Sequence, residues 1–303
     1  MKLGFVTAAL PGLELEPLAD WASESGFGML EIACWPNVGA TRRYGGVTHI
    51  DVDSLDKQRA KAIRTMLSAR NLDISSLAYY PNPLDPDTET QNAAITHLKK
   101  VIDAAVLLEV EIVGTFVGAD QQTSPAQNLE TFAKVWPPIV RYAKERGIKI
   151  AIENCPMLWA DTWPSGSNVA YSPAHWRRMF EVIPDANFGL NMDPSHLIWQ
   201  FIDEVRPIYD FRDRIFHVHA KDMQIDREKL YEDGVIGVGI NWAIPRLPGL
   251  GEVRWGAWMA ALYAIGYDWV VSIEHEDRAF EKTEELVKRG FYLTRDFLKP
   301  YIV

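Results

Sequence analysis

The sequence predicts a single (β/α)8 barrel over residues 1–303, and three observations carry that prediction. Eight short β-rich apolar runs recur along the chain, helix-period segments separate most of them, and no composition shift, low-complexity tract or charge block marks a linker. Strands that are apolar throughout are buried on both faces, and segments this long between them suit parallel crossovers. A chain of 303 residues would also fit two ordinary domains, but such a barrel with its loops fills the same length as one. The competing open, doubly wound sheet lacks its signature: no Gly-x-Gly-x-x-Gly follows an early strand, and the glycines near 234–239 and 249–251 fall in loop-like sequence.

The runs occupy 2–8, 28–34, 72–80, 111–118, 148–153, 186–193, 214–220 and 269–276. The first reads as a buried strand and not as a leader, because its apolar stretch soon meets Pro11, Glu14 and Glu16 with no small-residue cleavage site. Between the second and third runs, Leu55, Ala62, Ile63, Met66 and Leu67 form one stripe, with Ser54 as the expected cap and Lys57, Arg59, Lys61 and Arg64 outside it. A second stripe, Ile95, Leu98, Ile102, Ala105 and Leu108, follows the third run. Ser172 with Pro173 starts a helix over 172–183, since proline suits the first turn and serine the cap.

Composition narrows the function. Forty-one Asp and Glu against 31 Lys and Arg give a net charge of −10 in a chain that is 48% hydrophobic, the profile of a globular protein. That balance argues against nucleic acid, whose binding needs clustered Lys and Arg. No run of about 18 apolar residues exists, so no membrane span is expected. Cys34 and Cys155 stand too far apart in sequence for a disulfide framework or a Cys-x-x-Cys metal site. The cytoplasm is the expected location.

In such a barrel function sits where strands end and the following loops begin. The later strands end on polar groups: Glu153 and Asn154 on the fifth, Asp193 and His196 on the sixth, His217, His219, Lys221 and Asp222 on the seventh, and Glu274, His275 and Glu276 on the eighth. One acid at a strand end is ordinarily a cap for the next helix. Four successive strands each delivering an oxygen or nitrogen ligand to one end of a closed barrel are harder to explain that way. Glu153, Asp193, His219 and Glu274 would converge on the axis, where three carboxylates repel unless protonated or bridged by a cation. A divalent metal resolves the conflict. Three carboxylates and one imidazole suit Mn2+, Mg2+, Co2+ or Zn2+ with positions left for substrate.

Glu153, Asp-Pro-Ser-His (193–196), His-Val-His-Ala-Lys-Asp (217–222), the Gly-Leu-Gly-Glu-Val-x-Trp segment (249–255) and Ser-Ile-Glu-His-Glu (272–276) together resemble the xylose isomerase-like TIM-barrel superfamily of sugar isomerases and epimerases. The resemblance covers nearly the whole chain. It implies one divalent ion, Mn2+ first, held by Glu153, Asp193, His219 and Glu274, with Glu153 and Glu274 also moving a proton through an enediolate. It further implies His196 as a substrate contact. Such a metal acidifies a sugar C–H beside a carbonyl, and two carboxylates can remove and return the proton. The epimerases carry an arginine a few residues after the strand-seven histidine. This chain reads Lys-Asp-Met-Gln-Ile-Asp there, so Lys221, or Arg246 from the loop 232–251, is expected to take that role.

Eleven tryptophans suggest apolar faces for a sugar ring, with Trp35, Trp159, Trp163, Trp199 and Trp242 at the active end, and Trp176, Trp255, Trp258 and Trp269 as packing. The segment 155–168 is long for such a loop and could be a lid or an oligomer contact. Glu31, Tyr79 and Asn82 are further pocket candidates, and Asn154 with Tyr79 completes the expected substrate set. His49 and His97 are taken as structural. No Lys/Arg cluster clamps a phosphate, which favours an unphosphorylated carbohydrate. The alternatives are a 3-keto-glycoside or C-glycoside lyase on the same barrel, and, remotely, an endonuclease IV-like repair enzyme. The latter needs extra histidines where this chain has Tyr79 and Thr115. A homo-oligomer is expected, or a hetero-oligomer if the chain is a deglycosidase subunit.

Overall fold

A computed structural model describes residues 1–37, 45–158, 166–235, 237 and 240–303. Trp159 and Trp163, and the middle of the 155–168 segment, lie outside the described residues. Eight parallel strands close a barrel: β1 (Lys2–Val6), β2 (Met29–Ala33), β3 (Asp73–Ala78), β4 (Ile112–Thr115), β5 (Lys149–Glu153), β6 (Phe188–Met192), β7 (Ile215–Ala220) and, last in sequence, β10 (Val270–Ile273). Each expected run contains one of them. Closure is made by β1, which pairs with β10 on one side (Phe5 opposite Ile273) and with β2 on the other (Phe5 opposite Leu30).

Helices α1 (Leu15–Glu24), α2 (Lys57–Ser68), α3 (Thr88–Leu108), α4 (Pro125–Lys144), α5 (Pro173–Val182), α9 (Trp255–Ala264) and α10 (Glu284–Leu298) are the long crossovers. Their caps are local chemistry. Asp87 accepts from the Thr90 amide, Thr283 accepts from that of Leu286, and Ser124 with Gln127 forms a reciprocal capping box. α2 differs from expectation: Asp56, not Ser54, is its cap, accepting from the Arg59 amide, while the Ser54 hydroxyl is turned to Asp51. Between barrel and helices lies a core whose largest members include Phe5, Phe132, Trp136, Trp176, Phe188 and Trp258, all buried. Trp176, Trp255 and Trp258 are in that core as expected, whereas Trp269 is 37% exposed, with its indole N–H donating to the Ser75 carbonyl (3.2 Å).

Two short helices, α6 (Ser195–Ile198) and α8 (Arg227–Asp233), and an antiparallel hairpin of β8 (Asp222–Ile225) with β9 (Ala243–Arg246) decorate the end of the barrel that follows β6 and β7, while a third, α7 (Arg206–Asp210), leads into the start of β7. The hairpin was not expected. It covers a small separate core of Trp199, Met223, Ile225 and Trp242. That corrects the role expected for Trp199 and Trp242, which are packing residues beneath the hairpin. Asp222 locks this region to the barrel, accepting from the amides of Met223, Gly249 and Val253 and from the Trp255 indole (2.8 Å).

Candidate active site

Strand side chains alternate, so every second residue of a barrel strand faces the axis. On β7 and just beyond it, this parity stacks His217, His219 and Lys221 inward in rising order. The same holds for Asn191 and Asp193 at the end of β6, and for Ser272 and Glu274 at the end of β10. Glu31 and Trp35 share a parity on and after β2. All of these except Glu274 are buried.

The upper layer brings Glu153, Asp193, His196 and Glu274 together, one ligand atom from each lying within 4.8 Å of all the others. His196 Nε2 is 3.3 Å from Asp193 Oδ2 and 3.6 Å from Glu153 Oε1. His219 meets the same carboxylates from below, its Nδ1 3.3 Å from Glu274 Oε2 and 3.7 Å from Glu153 Oε1. The structure therefore brings Glu153, Asp193 and Glu274 together with His196, whereas His219, expected in that set, meets Glu153 and Glu274 and is grouped with Glu31 and His217. Lys221, 1% exposed, places its ammonium 2.6 Å from Glu274 Oε2, 3.1 Å from Glu276 Oε2 and 3.2 Å from Asp193 Oδ2.

Asn154 is a strut: its carboxamide accepts from the Asp193 amide (2.7 Å) and donates to the Asp193 carbonyl (2.9 Å). Asn168 supports the neighbouring strand end by donating to the Glu153 carbonyl (3.1 Å) and that of Cys155 (2.7 Å). Arg246 does not line the cavity beside the carboxylates. Its guanidinium donates to Gln224 (2.8 Å) and pairs with Asp277 (3.4 Å), because β9 directs it along the hairpin.

Electrostatics in this layer are crowded. Burial raises Glu274, but the Lys221 ammonium and His219 together outweigh it and hold the carboxyl at about 2. Burial likewise opposes ionisation of Glu153. The imidazoles of His196 and His219, too distant to hydrogen-bond, act with Lys221 through charge and hold it below the usual carboxylate range. Asp193 goes the other way: burial, with Glu274 and Glu153 adding, pushes it up despite Lys221 and His196. One ammonium is thus shared among more carboxylates than it can neutralise. Glu153 Oε1, Asp193 Oδ2, His196 Nε2 and His219 Nδ1 are all buried without a hydrogen bond. Buried polar atoms are rarely left so. Hard oxygen donors with one or two imidazoles, aimed at a common point, fit a divalent cation.

Glu31, His217 and His219 also stand close enough to hold an ion. There the partners are already made. Glu31 accepts from Tyr80 (2.6 Å), Ser272 (3.0 Å) and His219 (2.8 Å), while His217 lies between Asn191 (3.0 Å) and Ser75 (3.1 Å). Neither Glu31 nor His217 has an orphan atom for a cation. Glu31 is accordingly not a pocket residue but part of the floor beneath one.

A cavity of about 70 Å3 opens above the carboxylates. Glu153, Lys221, Glu274 and Glu276 form one side, and Trp35, Tyr80, Phe116 and Met157 contribute apolar surface. Cys155 also lines it, whereas Cys34 is buried with its thiol directed at the Ile32 carbonyl. Tyr79 does not reach this cavity: its ring packs edge-on against Trp35 and His97. Sequence reasoning missed Tyr80, Phe116 and Met157, and named Glu276 only as a strand-end residue. Tyr80 could have been found by counting twos along the third strand, since it shares the parity of Ser76, which stands opposite the inward-facing Glu31. His97 and His49 are structural as expected, His97 donating to the Cys34 carbonyl (2.8 Å) and His49 hydrogen-bonded with the Thr7 hydroxyl (2.9 Å).

An uncharacterized protein of Bacillus subtilis (strain 168), YfiH, is 27% identical over 312 residues, with 91% of this chain and 93% of that protein covered. Among solved structures, the IolI protein with a bound zinc atom superposes with a TM-score of 0.73 at 19% identity, covering 100% of this chain and 99% of that one. D-psicose 3-epimerase, solved in the presence of D-fructose, gives a TM-score of 0.73 at 14% identity with coverage of 100% and 99%. At these identities the two structures show a shared fold. The family description "Xylose isomerase-like TIM barrel" matches residues 19–297, and the chain belongs to that family.

Proposed function

We propose that this chain is a divalent-metal-dependent isomerase or epimerase of sugars or keto-sugars, with Glu153 and Glu274 as the proton-transferring groups. One observation carries the reading: buried ligand atoms of Glu153, Asp193, His196 and His219 lack hydrogen bonds and converge beside Glu274 at the floor of a cavity. A cation held there by these residues would polarise a substrate carbonyl oxygen and so acidify the adjoining C–H. Mn2+ is the first candidate, with Mg2+, Co2+ and Zn2+ as alternatives. Glu153, Asp193, His219 and Glu274 are the proposed ligands, with His196 as a substrate contact close enough to join them.

Glu153 and Glu274 come from the ends of β5 and β10, three strands apart around the barrel, and both line the cavity. One can take a proton from a substrate carbon and the other return it. Lys221 keeps Glu274 and Glu276 in place and presents an ammonium to substrate oxygens. Trp35 offers a flat apolar surface to the C–H face of a sugar. The reading implies a small carbohydrate as partner, not nucleic acid, a cytoplasmic setting, and a symmetric homo-oligomer. Among the described residues no helix is long and apolar enough to cross a membrane.

A second reading keeps the proton removal but expels a group from the neighbouring carbon, making the chain a 3-keto-glycoside or C-glycoside lyase. It is favoured by a larger hollow of about 610 Å3 that shares Trp35, Tyr80, Phe116 and Met157 with the first cavity and gives room for a second ring. The test for both is a metal-supplemented screen of ketoses, inosose and 3-keto-glucosides in D2O. The expected result is about one divalent metal per chain and deuterium incorporation into substrate. Product analysis separates a ketose epimer from a released aglycone. No metal binding, with or without added Mn2+, would sink the assignment.

A further inference from the structure

Beneath the carboxylates, Glu31 holds His219 in place. Glu31 is wholly buried on β2. Its Oε1 accepts from the Tyr80 hydroxyl (2.6 Å), and its Oε2 accepts from the Ser272 hydroxyl (3.0 Å) and lies 2.8 Å from His219 Nε2. An ionised carboxylate only accepts, so a hydrogen bond at this distance puts the proton on Nε2. Bare, that nitrogen would set its lone pair against the oxygen's. The Asn191 amide nitrogen, which donates to the Tyr80 hydroxyl (3.0 Å), is a second donor 2.9 Å from the same Nε2, so with the proton on Nε2 this contact closes the space around the ring without a hydrogen bond.

The consequence lies on the other side of the imidazole. With Nε2 committed downward, Nδ1 is the nitrogen left facing upward, where it makes no hydrogen bond and faces Glu274 and Glu153, and a cation held there would take its lone pair in place of a proton. Glu31 itself is not part of the cavity lining and cannot touch a substrate there. Isolated buried charges are costly, and a carboxylate kept in an otherwise apolar strand needs a function that outweighs that cost.

We propose that Glu31 is a positioning residue for the metal site: together with Ser272 and Tyr80 it fixes the ring and proton of His219 so that Nδ1 is presented as a ligand. The inference rests on the metal reading above. Outer partners of this kind orient a ligating histidine and raise its basicity, and their loss typically weakens metal affinity about 10–100-fold.

The experiment is titration of the whole protein with Mn2+, free ion being followed by electron paramagnetic resonance, and in parallel with Zn2+ against a chromophoric chelator. Glu31→Leu is expected to weaken binding by about 10–100-fold. Glu31→Gln should fall between it and the wild type, since the amide oxygen still accepts from Nε2–H but carries no charge. Ser272→Ala should lose only a few-fold. A merely structural role would lower the melting temperature of the metal-free protein without moving the dissociation constant of the folded variant, and that outcome overturns the proposal. If Glu31→Leu does not fold, Glu31→Gln decides alone: wild-type affinity for both ions overturns the proposal. A wild type that binds neither Mn2+ nor Zn2+ overturns the metal reading and this inference together, whereas a binding wild type matched by its variants overturns only the role of Glu31.

Discussion

The barrel carries two polar layers one inward step apart on β6, β7 and β10, with Glu31 of β2 in the lower and Glu153 of β5 in the upper, and they are finished differently. In the lower layer, Glu31, Asn191, His217 and Ser272 all have hydrogen-bond partners within the chain. In the upper layer, Glu153, Asp193, His196 and His219 each retain a buried atom without one. Both layers are desolvated, so burial is not the difference. A buried polar network is stable when every member is satisfied and costly when it is half satisfied. The lower layer is thus complete as folded, while the upper layer is complete only with something added. That contrast separates residues that build the floor from residues that await a ligand.

The largest expected effect comes from the upper layer. Glu153→Gln and Glu274→Gln should each lower turnover about 10^3-fold, the scale of a lost general acid–base group, while leaving circular dichroism unchanged. Removing one negative charge from a crowded cluster should not weaken the metal-free fold. Turnover within a few-fold of wild type for either variant would break the assignment of the upper layer to chemistry. Lys221→Met comes next. It strips the buried carboxylates of their one lysine partner, and removing one member of a buried pair costs about 3–5 kcal/mol. The metal-free variant should melt well below the wild type, and Mn2+ should restore more stability to it than to the wild type. Equal metal-induced shifts would show that ammonium and metal do not serve the same carboxylates.

A smaller effect is expected one layer down. His217→Leu leaves Asn191 and Ser75 without their partner, and an unsatisfied buried group costs about 1–3 kcal/mol. Urea denaturation should register that loss while turnover of the folded variant stays within a few-fold. A large loss of turnover at full stability would place His217 with the upper layer and blur the distinction.

How much of this the sequence shows depends on how local the signal is. The eight barrel strands are legible because each is a run of apolar residues bounded by polar ones, which a parallel, doubly covered strand requires. The hairpin of β8 and β9 is not, since its strands are four residues each and pair across a long intervening segment. Glu153, Asp193, His219 and Glu274 stand out because a carboxylate or imidazole closes an apolar run. Glu31 sits inside its run, Met-Leu-Glu-Ile-Ala, and the sequence marks it as anomalous without saying what it faces. Its partners lie 49, 188 and 241 residues away, so only the closed barrel reveals them. The choice between Tyr79 and Tyr80 turned on strand parity, and the exchange of Ser54 for Asp56 as the α2 cap on two residues of register.

The smallest expected effect compares two buried histidines. His219 is surrounded by acids, which overcome the effect of burial and raise it well above the ordinary value. His97 packs between α3 and the loop after β2, with its Nε2–H on the Cys34 carbonyl, and there burial prevails and lowers it. The sign for stability follows. A histidine lowered in the folded state takes up its proton more readily when unfolded, so its contribution is complete above the unfolded value, about 6.5, and is lost as the pH falls below it. One such group changes stability by at most about 1.4 kcal/mol per pH unit. Denaturation of wild type and His97→Gln between pH 7.5 and pH 5 should therefore diverge in slope below about 6.5, with the glutamine variant the flatter of the two. Parallel curves would mean that the Cys34 carbonyl and the nearby Asp53 charge offset burial at His97 as fully as the carboxylates do at His219.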